Sequence, residues 1–163
     1  MNKIFLILHV LAAILAVGPV AVAASIFPRA LRHARAHPGD AGALSALRTL
    51  HRICRVYAGV GISVPVLGLA TALGLGVLGS AWLIASMILT VIAAAVLWVL
   101  VLPEQESALA AAETPGSGSE SVPESGSGAR AGARLAMLTG VFNLLWATVT
   151  ILMIIRPGST TSV

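Results

Sequence analysis

The sequence predicts an all-α membrane protein, a bundle of four transmembrane helices with both termini on the outer side. Three observations predict it. Of 163 residues, 58% are hydrophobic and 10% are charged, with mean hydropathy +0.97, whereas a soluble domain carries about a quarter charged residues. Four apolar stretches are each long enough to cross roughly 30 Å of hydrocarbon. The basic residues fall unevenly around those stretches, and this asymmetry sets their direction.

The first span covers about 4–25. Lys3, the apolar run and Ala21-Val22-Ala23 also resemble a cleavable signal peptide. The run continues through Ser25-Ile26-Phe27, however, without the polar break that precedes a cleavage site. Arg29, Arg32 and Arg35 follow at once, and positive charge there resists translocation, so a retained helix is expected. The second span covers about 56–78, the third about 81–102 and the fourth about 135–155. Only Gly79-Ser80 separates the second from the third, which predicts a tight antiparallel hairpin. Pro19 and Pro65 are expected to kink their helices. Gly68, Ala72 and Gly76 recur at four-residue spacing, as do Ala12 and Ala16, a pattern of small residues that lets helix backbones approach closely in lipid.

Arg29, Arg32, Arg35, Arg48, Arg52 and Arg55 lie between the first two spans, Arg130 and Arg134 between the last two, and only Lys3 and Arg156 on the opposite side. Both long loops are therefore expected in the cytoplasm, with Trp82 at the outer interface and Tyr57 and Trp98 at the inner one. These flanking arginines account for the pI near 10.7 without a nucleic-acid partner, and no nucleic-acid motif is present. The partner implied is the lipid bilayer, and the expected location is the bacterial inner membrane, crossed several times. Nine arginines against Lys3 alone point to a GC-rich genome.

The two cytoplasmic loops differ in kind. After the break at His37-Pro38-Gly39, Asp40 is placed to cap a helix over about 41–55. Leu44, Leu47, Leu50 and Cys54 share one face of it, which reads as an amphipathic lead-in at the lipid headgroups. The segment over about 113–132 is a low-complexity run of Gly, Ser, Pro and Glu and is expected to be disordered.

His9 is the one Asp, Glu, Lys, Arg or His side chain inside the expected spans, and an ionisable group at membrane depth is a functional candidate by default. At 1.5 Å per residue it lies about 7 Å below the outer end, with Ser86, Thr71 and Thr150 at about 7–11 Å, so the four helices share an outer polar layer. Thr139 and Asn143 lie deeper. Three roles compete for His9. A neutral imidazole bonded to Ser86 or Thr71 would hold helices in register. An axial ligand to haem b would use the same ring, although no second histidine in a span completes a bis-histidine site. A proton or solute path would need further ionisable groups in the membrane, and none is present. His33 and His37 stand four apart with His51 across the loop, but without nearby carboxylates or thiols they read as solvated histidines rather than a metal trio. The single cysteine, Cys54, excludes an intramolecular disulfide and reads as a small apolar residue. No phosphate loop, Ser-His-Asp pattern or paired carboxylates occur, so no catalytic residue is identified.

Leu8-His9-Val10-Leu11-Ala12-Ala13-Ile14, then Gly18, Phe27-Pro28-Arg29 and Arg32-His33-Ala34, resembles the opening of the CopD/HemJ-like group of small membrane proteins. That group includes the copper-resistance protein CopD, the HemJ-type protoporphyrinogen oxidases and several uncharacterised integral membrane families. Gly140, Asn143 and Met153-Ile154-Ile155-Arg156-Pro157-Gly158 are similar to the last helix of the uncharacterised members. The resemblance implies the four-helix layout, and for HemJ-type relatives it implies a haem-linked first-helix histidine at His9. Those enzymes pair that histidine with a lysine in the third span and carry Asn-Glu in the last; here the third span has no lysine and Leu144 follows Asn143. Copper handling of the CopD type implies further His or Met ligands, and only Met87, Met137 and Met153 accompany His9 in the spans. The expectation is therefore a non-catalytic accessory or oligomeric membrane subunit, of a homo-oligomer or a larger membrane complex. The alternatives are a haem-binding, HemJ-like redox protein with His9 as axial ligand and, third, a metal or solute permease.

Overall fold

The computed structural model describes residues 2–114 and 127–158, and every regular element among them is helical. These are α1 (Asn2–Ala36), α2 (Ala41–Gly61), α3 (Ser63–Leu75), α4 (Ala81–Ala95), α5 (Leu102–Glu113) and α6 (Ser127–Ile155), with a π-helical segment, Val96–Val101, between α4 and α5. They form four rods long and apolar enough to cross a membrane: Lys3–Ala36, Ala41–Leu75, Ala81–Glu113 and Arg130–Ile155. The all-α, four-span fold class expected from the sequence is the observed one. Large apolar side chains stand exposed along the rods, among them Ile4, Ile7, Ile14, Val91, Val99 and Ile154. Such surface is tolerated where acyl chains cover it.

The rods outrun the hydrocarbon. The 34 residues of the first span candidate reach about 51 Å at 1.5 Å per residue, against about 30 Å of bilayer core. The arginine-bearing end of α1 has a core of its own. There α1 continues past Ser25 because Phe27, Leu31 and Ala34 extend its buried stripe, packing with Ala43, Leu47, Ala108 and Leu135. This second core adjoins a central one that includes Val20, Ala24, Cys54, Ala58, Leu97 and Phe142. Asp40 caps α2, its Oδ1 accepting from the N–H groups of Gly42 (2.8 Å) and Ala43 (3.3 Å). The apolar face of this helix packs onto α1 and α5 through Leu47, Phe27, Leu31 and Ala108. Arg48–Glu113 and Arg134–Glu104, both at 2.7 Å, tie the same end together. Being solvent-accessible, each ion pair is worth about 0–1 kcal/mol. Of the segment expected to be disordered, 115–126 lies outside the described residues, whereas 127–132 opens α6 as helix.

Prolines set the irregularities. Pro65 offers no N–H to the carbonyl of Gly61, and the second rod breaks one turn earlier, at Ile62. The Ile62 N–H turns to the Gly59 carbonyl (3.2 Å) and the Ser63 hydroxyl donates to Val60 (2.7 Å). Pro103 likewise withholds a donor from Val99, and the preceding turn widens to π geometry, with the Leu102 N–H bonded to the Leu97 carbonyl. Pro19 has no such effect: α1 runs unbroken through both Pro19 and Pro28.

Gly76 does not continue the small-residue stripe. It ends α3 at φ 68°, and the Val77 N–H closes back on the Ala72 carbonyl at 3.2 Å. Nor do α3 and α4 pack along their length as the expected hairpin. They meet near the turn, at Ala72, Trp82 and Leu83, and then α3 lies against α1 and α4 against α6, since the Gly68 face of α3 is taken by α1. At the same end Arg156, at φ 46°, sets its guanidinium 5.6 Å from the Trp82 ring centroid, a cation–π contact closing α6 over α4.

Candidate functional site

Among the described side chains, His9 is the first of α1 to be buried, 8% exposed, and the next is Ala16. The half of α1 farthest from the arginines thus meets the bundle chiefly through this ring. His9 Nδ1 lies 2.9 Å from the carbonyl oxygen of Val64 on α3. A carbonyl only accepts, so Nδ1 carries the proton and donates, and a neutral imidazole then keeps its lone pair on Nε2. One turn along α3 from Val64, a Cβ on Gly68 would stand 2.9 Å from His9 Cε1 and 3.2 Å from Nδ1. The ring fills the space that a side chain at position 68 would need.

Ser86 and Thr71, the expected partners of His9, are bonded elsewhere, as is Thr150 of the same expected layer. Thr71 donates to Leu67 (2.8 Å), Ser86 to Trp82 (2.8 Å) and Thr150 to Trp146 (2.9 Å), each to the carbonyl four residues back on its own helix. Thr71 and Ser86 are buried, whereas Thr150 is exposed. Their hydroxyls therefore satisfy local backbone, and His9 takes a backbone carbonyl in their place. Asn143 lies apart from His9, with its Nδ2 3.4 Å from Ser25 Oγ on α1.

The three loop histidines do not converge. The His33 and His37 ring centroids lie 4.5 Å apart with their planes tilted by 40°, and His33 Nε2 is 3.9 Å from Asp40 Oδ2. His51 turns to α5, its Nδ1 3.3 Å from Gln105 Oε1. Among the described residues, no group of three or more His, Cys, Asp or Glu side chains is placed to hold a metal ion.

Gln105 is the polar residue that the sequence reading missed. It is 0% exposed, and its amide joins two residues of α2: Oε1 faces His51, and Nε2 donates to Cys54 Sγ at 3.6 Å. Within Glu104-Gln105-Glu106-Ser107 it looks like part of a solvated run. The available signal was its spacing from Val101, Leu102 and Ala108, all buried on the same helical face.

Haem finds no bed beside His9. Nδ1 and Cε1 of the ring face the α3 backbone, and an apolar cavity of about 130 Å³ lies deeper, lined by residues such as Ala16, Tyr57, Pro65, Trp98 and Trp146 but not by His9. A cavity of that order holds a single ring such as benzene, not a porphyrin. The residues present do not fit the group within one chain.

A family model described as "Predicted integral membrane protein (DUF2269)" matches residues 3–157. No curated protein and no solved structure matches the chain.

Proposed function

The chain belongs to this family of predicted integral membrane proteins, and from that premise we propose that it is a non-catalytic accessory or oligomeric subunit of the bacterial inner membrane. In this reading His9 is a clamp between two helices, not a reactive group. The observation that carries it is the placement of the His9 ring, bonded to the Val64 carbonyl and filling the space over Gly68. The first-helix and last-helix motifs support grouping the protein with the uncharacterised members of the CopD/HemJ-like group. The missing lysine in the third span and Leu144 after Asn143 set it apart from the oxidases.

A second reading, a HemJ-like haem protein, rests on one observation. With Nδ1–H held by a carbonyl, His9 keeps a ligand lone pair on Nε2, the arrangement that metal-bound histidines share. The visible spectrum separates the two. Purified in mild detergent after expression with ample haem, the protein is expected to be colourless. A Soret band that disappears in His9→Ala overturns the accessory reading.

We further propose that both termini face outward, as the arginine distribution requires. Labelled with a membrane-impermeant thiol reagent, Gly79→Cys should react in intact spheroplasts and Thr114→Cys only after permeabilisation; native Cys54 is buried. The reverse pattern contradicts the orientation.

A further inference from the structure

The hydroxyls of Thr49, Thr71, Thr90, Thr148 and Thr150 each donate to the carbonyl four residues back. Thr139 breaks the pattern. Its side chain is 3% exposed, yet Oγ1 is buried with no hydrogen-bond partner among the described residues. One turn along the same face of α6, Asn143 Oδ1 is buried in the same condition. Flipping the Asn143 amide does not cure this. Ser25 donates its one hydroxyl proton to the Ala21 carbonyl at 2.6 Å, so towards Asn143 it can only accept, and Asn143 must present Nδ2 to it. The seam between α1 and α6, joined by the Asn143–Ser25 contact, thus holds two buried side-chain oxygens, Thr139 Oγ1 and Asn143 Oδ1, without a hydrogen-bond partner among the described residues.

We propose that this seam binds one structural water molecule, which donates its two protons to Thr139 Oγ1 and Asn143 Oδ1. Orphaned buried polar atoms are costly, and more so where lipid excludes solvent. Immobilising one water that satisfies both costs less than leaving both unmade. Two to four polar partners are what a buried water requires, and Thr139 and Asn143, at i and i+4, present theirs on one face.

The test turns on a sign. Thr139→Val keeps the shape and removes the hydroxyl. If the hydroxyl is dry and unpaired, its removal raises the unfolding midpoint; if it holds water, the midpoint falls. The expected fall in mild detergent is about 2–4 °C, with a similar fall for Asn143→Leu. The double variant should fall well short of the sum, because both residues serve one water. A raised or unchanged midpoint in Thr139→Val, or additive losses, overturns the proposal. Solid-state NMR in bilayers supplies an independent readout. A water cross-peak to the Asn143 side-chain amide is expected in the wild type and in Thr139→Ser, and its absence from the wild type overturns the proposal as well.

Discussion

Leucine in place of Gly68 should destabilise the protein by about 2–4 kcal/mol, from overpacking and the loss of an interhelical hydrogen bond. Even a Cβ at this position would meet His9 Cε1 at 2.9 Å, closer than real contacts allow. A leucine there pushes the ring aside, and the bond from Nδ1 to the Val64 carbonyl is disturbed with it. Among the described side chains before Ala16, His9 alone is buried, the others being exposed or only partly buried. The loss is read from thermal unfolding in mild detergent, together with faster proteolysis of the α1 end. A Gly68→Leu protein as stable as the wild type would mean that the ring does not hold α1 against α3.

Gln105→Ala should cost a comparable amount, about 2–4 kcal/mol, through a cavity in a packed core and two polar groups left unpaired. His51 Nδ1 and Cys54 Sγ both lose their partner on α5. Gln105→Leu restores the volume without the amide, so it isolates the polar share and should recover roughly half of the loss. Equal losses for the two variants would assign the whole effect to the amide; full recovery by leucine would show that only packing matters at this position. Unfolding midpoints of the three proteins measure it.

The four spans were legible because long apolar runs bounded by arginine leave few alternatives for a chain this poor in charge. Their overrun was not. Arg29, Arg32 and Arg35 mark the membrane edge in a sequence, yet they sit on a helix whose opposite side carries Phe27, Leu31 and Ala34 into a second core. Pro65 announced the break at Ile62 through its missing N–H, whereas Pro19 carries the same chemistry and leaves α1 unbroken; neighbouring packing decides between those outcomes, and a sequence does not display it. His9 stood out as a lone ionisable group, but its partner did not, because a backbone carbonyl has no letter in the sequence. Ser86 and Thr71 looked like partners only until their hydroxyls turned to their own helices, the usual local alternative for such side chains. Gln105 was hidden for a different reason: flanking glutamates masked a position that helical phase puts inside.

The most direct test of His9 as the clamp between α1 and α3 is a double-mutant cycle of His9→Ala with Gly68→Ala, read by equilibrium unfolding in mild detergent. Beside the intact ring, Gly68→Ala should destabilise, because its Cβ displaces His9. In the His9→Ala background the same substitution should stabilise by about 0.5–1 kcal/mol, as alanine does over glycine within a helix. A change of sign between the two backgrounds is the predicted result. An equal effect of Gly68→Ala in both would contradict the clamp.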